Sequence, residues 1–135
     1  MCLALNTIKN MDKAEIGKLG EELANIYLIK NDYKVIYRNY RRKSDEIDII
    51  AKSKDEILVF FEVKTMTRMM GYGQALLPED NLTGAKFRKI LRTCEFFARK
   101  YPALINEEKG WRMDLLAVDL SPNGRLLAIR HYENI

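Results

Sequence analysis

The sequence of 135 residues has few of the residues that build disulfide frameworks and zinc sites. It contains only two cysteines, Cys2 and Cys94, and one histidine, His131. Two cysteines, one of them next to the N-terminus, do not make a disulfide framework, and a structural zinc site usually takes about four His or Cys ligands. Any bound metal ion would therefore have to be held by oxygen atoms.

Long apolar runs are absent as well. No stretch approaches the ~18 consecutive apolar residues of a membrane-spanning helix, and residues 1–10 lack the charged and apolar regions of a signal peptide. We therefore expect a cytoplasmic protein with no membrane partner. Because no repeat, low-complexity run or linker divides the sequence, we expect one domain over residues 1–135, with a flexible N-terminus over residues 1–11.

The overall composition is that of a compact globular domain, with 47% hydrophobic and 31% charged residues. Lysine and arginine exceed the acidic residues, which gives a net charge of +4 and a pI near 9.0. A basic excess of this size is compatible with a polyanionic partner but does not require one.

The hydrophobic pattern predicts the element order α-β-β-β-α-β-β. Helical spacing occurs over residues 12–30 and 84–101, with Thr83 as N-cap of the second helix. Between them, residues 69–82 are predicted to form a loop, of which residues 69–80 are a candidate lid over a substrate. The strands are predicted at residues 33–40, 46–52, 57–67, 112–120 and 125–132. This order is typical of an α/β fold in which helices flank a mixed sheet.

Acidic residues and a lysine interrupt two of the predicted strands. If the hairpin turns symmetrically about Asp55, Asp48 lies opposite Glu62 and Glu46 lies opposite Lys64, with Cβ atoms about 4.5–5.5 Å apart in each pair. Two carboxylates at that distance can bind a hard cation such as Mg²⁺, which keeps several water ligands. Together with a lysine, such an ion can hydrolyse a phosphodiester bond, because both stabilise the charge that develops on the phosphate.

The same charged residues also permit a purely structural interpretation. Charges on strands usually face solvent, and Glu46 with Lys64 would then be a cross-strand ion pair worth about 0.2–1 kcal/mol. The context of Glu62 and Lys64 weakens this alternative. They directly continue residues 57–61, which are apolar at every position and therefore predict a strand buried on both faces, where unpaired charge is costly.

A third acidic residue, Glu21, lies on the first predicted helix. On a helical wheel it falls within the arc of Gly17, Gly20, Ala24 and Leu28, so we expect it to face the sheet. Glycine inside a helix costs roughly 1 kcal/mol relative to alanine, which is understandable if the helix must approach the sheet closely. The alternative is that Glu21 is a boundary carboxylate paired with a lysine.

These residues resemble the motifs of a known nuclease superfamily. Residues 45–51 followed by Glu62-Val63-Lys64 resemble the Asp and Glu-x-Lys motif of the restriction-endonuclease-like nucleases. From about Glu15 to the C-terminus, the chain resembles the YraN-like family of small bacterial proteins, which is similar to archaeal Holliday-junction resolvases. The residues that carry this resemblance are Gly17-x-x-Gly20-Glu21-x-x-Ala24, Tyr27-Leu28, Arg38-Asn39, Glu46-Ile47-Asp48, Glu62-Val63-Lys64, Lys86 and Arg112-Met113-Asp114.

The resemblance implies a restriction-endonuclease-like core and a metal-dependent endonuclease. It assigns Asp48 and Glu62 as ligands of Mg²⁺ or Mn²⁺, Lys64 as the catalytic lysine, and Glu21 as the acid that completes the catalytic and metal-binding site. DNA, branched or junction DNA in particular, is the implied partner, and a homodimer is compatible with the similarity to resolvases.

The chain departs from the family pattern at two positions near these motifs. Asp45 stands where the family usually has glycine, and Met66 stands where it usually has the arginine after Lys-Thr. Arg68 is a candidate to compensate for the second change. We count Arg68 and Glu46 as accessory site residues.

Basic and aromatic residues are concentrated in two segments. Residues 33–43 contain five basic residues and no acidic ones, and the second helix is also rich in lysine and arginine. Segregated positive charge is typical of a surface that binds a phosphate backbone, although a solvated helix or strand face would show the same pattern. The predicted nucleic-acid-binding residues are Arg38, Arg41, Arg42, Lys86 and Lys89.

Two other functions remain open at this point. In a noncatalytic nucleic-acid-binding module, the acidic residues and Lys64 would form a structural network and the basic surface would bind the partner. A scaffold protein that recruits partners through its tyrosine-rich first strand would show no salt-dependent affinity for DNA.

Overall fold

The described part of the protein consists of two helices and five strands, with one short 3-10 turn. The structure is a computed structural model, and it describes residues 11–68 and 83–135. In chain order the elements are α1 (Lys13–Lys30), β1 (Lys34–Arg42), β2 (Asp45–Lys52), β3 (Leu58–Thr67), α2 (Gly84–Lys100), the 3-10 turn (Pro102–Leu104), β4 (Trp111–Leu120) and β5 (Leu126–Tyr132). The predicted element order and the α/β fold class are confirmed.

Two predictions fall wholly or partly outside the described residues. They are the loop at 69–82 with its candidate lid, and residues 1–10 of the predicted flexible N-terminus. Met11 is described, and its N–H donates to the carbonyl oxygen of Pro122 at 3.0 Å. Neither described helix is long and apolar enough to cross a membrane.

The strands form one mixed sheet in the order β1-β2-β3-β4-β5. Only β3 and β4 run parallel, and the chain between them, which includes α2, makes the crossover that a parallel pair requires. The predicted register of the β2–β3 hairpin is confirmed where the strands pair, since Ile50 lies opposite Phe60 and Ala51 lies opposite Val59.

The first helix packs on one face of the sheet through residues spaced four apart. Its buried residues are Ile16, Gly20, Ala24 and Leu28. A Cβ atom on Gly20 would lie 2.8 Å from Cβ of Thr65, so this glycine allows the close approach of α1 to β3 that the sequence predicts. Gly17 differs, because a Cβ atom there would meet nothing within 4 Å.

The second helix covers the opposite face. Thr83 is its N-cap as predicted, with Oγ1 accepting from the N–H of Lys86 at 3.2 Å. Cys94 and Phe97 pack in a core with Ile50 and Phe60. Burial raises the pKa of the Cys94 thiol, as expected for a cysteine that acts as a small apolar side chain.

The central strand, β3, is buried on both faces. Its residues 58–63 are all buried, which confirms the prediction from the apolar run. Glu62 is included, with a relative exposure of 6%. The charged residue Glu62 thus lies on β3 directly next to the two apolar cores that the helices cover.

A second buried carboxylate, Asp114, lies on β4. Its oxygens accept from Arg112 Nε at 2.9 Å and from the N–H of Asn134 at 3.0 Å, and His131 Nε2 lies 2.7 Å away. Burial alone would raise the pKa of Asp114, but these partners outweigh it and the pKa is lowered. These contacts connect His131 and Asn134, near the C-terminus, to β4.

The two glycines of α1 should respond in opposite directions to alanine. Gly20→Ala should lower the free energy of unfolding by about 1–2 kcal/mol, because the added methyl group overlaps the β-branched Thr65. Gly17→Ala should raise it by about 0.5–1 kcal/mol, because only the helix propensity changes. Urea unfolding of both variants measures these differences, and equal stabilisation by the two substitutions would contradict the close contact at Gly20.

Candidate metal and nucleic acid site

The site is built where β2 separates from β3. Their pairing runs from Lys52 opposite Leu58 to Ile49 opposite Phe61 and stops there, although both strands are described well beyond that point. The next residue of β2, Asp48, turns its carboxylate into the gap, and Oδ2 accepts from the N–H of Val63 at 2.7 Å. The Asp48 carboxylate thus accepts a hydrogen bond from a backbone N–H of β3 just beyond Phe61, the last β3 residue that pairs with β2.

Three carboxylates from two elements meet at this gap. One oxygen each of Glu21, Glu46 and Asp48 lies within 4.8 Å of the others. Glu21 comes from α1, and its inward orientation is the one predicted from the helical wheel. We call these three residues the acid cluster.

The predicted pairs Asp48 with Glu62 and Glu46 with Lys64 do not form in the sheet. They extended the hairpin register past Ile49, where the pairing of β2 with β3 ends. On its other edge β2 continues to pair with β1, where Glu46 lies opposite Arg41, and Arg41 Nε is 2.7 Å from Glu46 Oε2.

Sequence reasoning missed Asn39 as a member of the site. Arg38 pairs with Ile49 and Tyr40 with Ile47, so Asn39 lies on β1 at the level of Asp48. Its φ of 54° is in the left-handed region, which asparagine tolerates better than most residues. Its amide faces two carboxylates, so the nitrogen must point towards them; it then donates to Glu21 Oε1 at 2.9 Å and to Glu46 Oε1 at 3.1 Å.

Burial and nearby charges raise the pKa values of two members of the acid cluster, Asp48 and Glu21. The pKa of Asp48 is raised to about 8, first by burial and then by the charges of Glu62, Glu21 and Glu46, while the hydrogen bond from Val63 opposes the rise. The pKa of Glu21 is also raised, first by burial and then by Glu46. Without a cation the surroundings therefore disfavour the charged forms of Asp48 and Glu21, and a bound cation would oppose this effect.

A pair of lysines lies beside the acid cluster. Glu62 Oε1 is 3.1 Å from Lys86 Nζ and 3.7 Å from Lys64 Nζ. Lys64 and Lys86 lie close enough for each to change the pKa of the other. Burial and then the neighbouring Lys86 lower the pKa of Lys64. Burial alone would lower the pKa of Lys86 too, but the neighbouring Lys64 and the charge of Glu62 outweigh it, and the pKa of Lys86 is raised. Lys64 is thus the member of the pair that is more easily deprotonated.

Two clefts open onto the acid cluster. The helix cleft, of about 590 Å³, is lined by Gly17 and Glu21 of α1, Asn39 of β1 and Glu46 of β2, among others. The lysine cleft, of about 320 Å³, is lined by Ser44, Asp45, Glu46, Asp48, Glu62, Lys86, Lys89 and Ile90. Because Glu46 lines both, the clefts meet at the acid cluster.

The predicted nucleic-acid-binding residues are distributed around these clefts. Arg38 and Arg41 line the helix cleft, where Arg38 Nη1 is 2.7 Å from Glu22 Oε1. Lys86 and Lys89 line the lysine cleft. The guanidinium of Arg42 stacks on Phe96, 4.2 Å from the ring centroid.

The accessory residue Arg68 lies elsewhere. Its Nε is 3.0 Å from Asp119 Oδ1, on a carboxylate that also pairs with Arg130. The acid cluster and Lys64 thus come together, whereas Arg68 is bound to β4.

The donor set of the acid cluster fits a hard divalent cation. Carboxylate oxygens are the ligands that Mg²⁺ and Mn²⁺ prefer. Of the described residues that could bind softer metals, His131 contacts Asp114 and Cys94 is buried in the core under α2. The predicted ligand Glu62 lies next to the cluster, and its carboxylate forms ion pairs with Lys64 and Lys86. Its role as a metal ligand stays a prediction.

The sequence matches a family whose members span the same length. The model described as Uncharacterised protein family UPF0102 matches residues 20–118, which is most of the chain. The chain belongs to the UPF0102 family. This confirms the resemblance to the YraN-like family, and the matched residues include Glu21, Glu46, Asp48, Glu62 and Lys64.

Relatives in the UPF0102 family cover nearly the whole chain. A UPF0102 protein of Caldicellulosiruptor saccharolyticus is 36% identical over 92% of this chain and 98% of its own length. A second, from Fervidobacterium nodosum, is 33% identical over 96% of this chain and 87% of its own length. A third, from a Sulfurihydrogenibium species, is 38% identical over 80% of this chain and 87% of its own length.

The raised pKa of Asp48 predicts a stability that depends on pH. Between the ordinary pKa of 3.8 and the folded value of about 8, the folded protein holds a proton that the unfolded chain has released. The free energy of unfolding should therefore fall as the pH rises through this range. Asp48→Asn keeps an acceptor for Val63 and removes the charge, so its advantage in Tm over the wild type should grow steadily up to about pH 8, by at least several degrees.

Thermal unfolding of metal-free protein between pH 5 and pH 9 tests this expectation. Asp55→Asn, in the exposed turn between β2 and β3, is the matched control and should track the wild type at every pH. Mn²⁺ should raise the Tm of the wild type and have little effect on Asp48→Asn. A pH-independent difference between Asp48→Asn and the wild type would contradict the electrostatic account.

The amide of Asn39 should favour the charged form of Glu21 and so limit the rise of its pKa. Asn39→Gly keeps the left-handed backbone but removes the amide donor, so the pKa of Glu21 should rise further. Carbon-13 NMR of the glutamate carboxyl groups measures this pKa directly. Asn39→Ala should be about 1 kcal/mol less stable than Asn39→Gly, since alanine resists a positive φ. An unchanged titration of Glu21 in Asn39→Gly would remove Asn39 from the site.

Proposed function

We propose that this UPF0102 protein is a metal-dependent endonuclease that hydrolyses DNA phosphodiester bonds, with a preference for branched DNA. One observation carries the proposal. The charge of the partly buried Asp48 is opposed by neighbouring carboxylates and supported by a single described hydrogen bond, from Val63, while a lysine of lowered pKa lies close by. Sites of this kind are unfavourable for folding and are typical of catalysis.

Asp114 supports this interpretation by contrast. It is fully buried, yet an arginine, a histidine and a backbone N–H compensate its charge and its pKa is lowered. The same fold can therefore compensate the charge of a buried carboxylate with hydrogen-bond donors where only stability is required. At Asp48, the missing compensation is best supplied by a bound cation.

In this proposal Mg²⁺ or Mn²⁺ is held by Glu21, Glu46 and Asp48, with Glu62 beside them. The ion, when bound, polarises the phosphate and lowers the pKa of a water molecule. Lys64, as the lysine more easily deprotonated, accepts the proton of the attacking water. Lys86 stays charged through its ion pair with Glu62 and is placed to stabilise the negative charge of the phosphate.

The preference for branched DNA rests on the similarity to resolvases and on the size of the chain. A domain of 135 residues has little room for a separate element that reads bases. The clefts offer lysine and arginine side chains, which contact phosphates whatever the sequence.

Cleavage by the purified protein tests the proposed function. Labelled duplex, single-stranded, flap and four-way-junction DNA are incubated with Mn²⁺, Mg²⁺ or a chelator. We expect metal-dependent cleavage that is greatest on branched DNA and falls at least ~100-fold in Asp48→Asn and Lys64→Ala. The rate should rise with pH through the lowered pKa of Lys64, since only its neutral form accepts a proton.

The control is Lys109→Ala, which removes an exposed lysine from the segment before β4 and should cleave like the wild type. Equal cleavage by all variants would reveal a contaminating nuclease. If nothing is cleaved while wild type, Asp48→Asn and Lys64→Ala bind DNA equally, the protein is the noncatalytic binding module instead.

A further inference from the structure

The two mid-helix glycines of α1 have different surroundings. Gly20 is required by its contact with Thr65, whereas a Cβ atom on Gly17 would meet no described atom within 4 Å other than its chain neighbours and the backbone of its own helix. Glycine at such a position costs about 1 kcal/mol relative to alanine, and packing gives no reason for it. What Gly17 does provide is bare helix backbone on the wall of the helix cleft, one turn before Glu21.

The walls of the helix cleft carry an excess of basic side chains. Lys13 and Lys18 of α1 line it together with Arg38 and Arg41 of β1. The two arginines are in ion pairs with Glu22 and Glu46, both at 2.7 Å. The two lysines are exposed and form no ion pair with any residue in 11–68 or 83–135, so their charges are available to a ligand.

The helix cleft and the lysine cleft meet at the acid cluster, and this arrangement indicates the class of ligand that fits both. Glu46 lines the helix cleft and the lysine cleft, so a chain that leaves one cleft crosses the acid cluster and enters the other. Lys13 and Lys18 lie on one side of this crossing, and Lys86 and Lys89 lie on the other. A polymer with regularly spaced negative charges can contact both pairs of lysines at once.

We propose that the helix cleft is a second nucleic-acid subsite, in which a DNA strand lies against the bare backbone at Gly17 and contacts Lys13 and Lys18. The strand continues over the acid cluster into the lysine cleft without interruption. This inference rests on the proposed function, and it specifies the substrate as an internal segment of a strand, for which no free end is needed.

Binding in the presence of a chelator tests the subsite separately from catalysis. The probe is a fluorescent single-stranded DNA of about 20 nucleotides, and its anisotropy is followed over a range of salt concentrations. The double variant Lys13→Glu/Lys18→Glu should bind at least tenfold more weakly, and the slope of log K against log salt should be smaller by about 1–2. Lys30→Glu, at the other end of α1, is the charge control and should change the affinity less than about twofold.

Gly17 supplies a test without any change of charge. Gly17→Leu should fill the cleft and weaken binding, whereas Gly17→Ala should stabilise the helix and leave binding close to wild type. Mn²⁺ affinity, measured by titration calorimetry, should be the same in Gly17→Leu and wild type, and both should unfold cooperatively on heating. Wild-type affinity in both Gly17→Leu and the double lysine variant would overturn the subsite.

A closed circular single strand tests the uninterrupted path. With Mn²⁺, the wild type should cut the circle as readily as a linear strand of the same sequence. Release of nucleotides from linear ends with an intact circle would overturn the inference and leave phosphodiester hydrolysis standing. If the wild type cuts neither substrate, the proposed function fails, and the anisotropy measurements alone decide on the subsite.

Discussion

The backbone N–H of Val63 lies where β3 can no longer pair with β2. β3 continues alongside β4 as far as Thr67, whereas β2 leaves it after Ile49 and stays with β1. The carboxylate of Asp48 accepts from Val63 across the resulting gap. Glu46 therefore lies beside Glu21 and Asn39 rather than beside Lys64, and both clefts meet at this gap.

The acid cluster is stabilised by its surroundings rather than by its own contacts. Carboxylates within 4.8 Å of one another repel when charged, and this repulsion adds to burial, the larger cause, in raising the pKa values of Asp48 and Glu21. The two apolar cores, one under each helix, hold the strands and α1 in place despite this repulsion. A bound cation would convert the same repulsion into attraction, which is the physical basis of the metal site proposed above.

The sequence was sufficient to predict the features that depend on local periodicity. The burial of β3, the inward orientation of Glu21 and the register of the hairpin all follow from residue spacing, and the structure has them. The neighbours of Glu46 were not predictable in this way, because they depend on where β2 ends its pairing with β3. Local periodicity does not set that point: β2 pairs with β1 on one edge and with β3 on the other, and the pairing with β3 ends at Ile49 while the pairing with β1 continues.

Asn39 and Gly17 show a second limit of sequence reasoning. Both belong to the quoted family motif, but a motif does not say what a residue contacts. Asn39 matters because its strand adopts a positive φ next to two carboxylates, and Gly17 because the cleft beside it is open.

The lysine pair shows how one glutamate can give two identical side chains different properties. Glu62 lies closer to Lys86 Nζ, at 3.1 Å, than to Lys64 Nζ, at 3.7 Å. Lys64 is on the sheet and 21% exposed at its side chain, whereas Lys86 is in the first turn of α2 and 42% exposed. Burial therefore disfavours the charged form of Lys64 more strongly, and the shorter ion pair favours the charged form of Lys86. The fold thus places two lysines whose pKa values are shifted in opposite directions next to the acid cluster, one lowered and one raised.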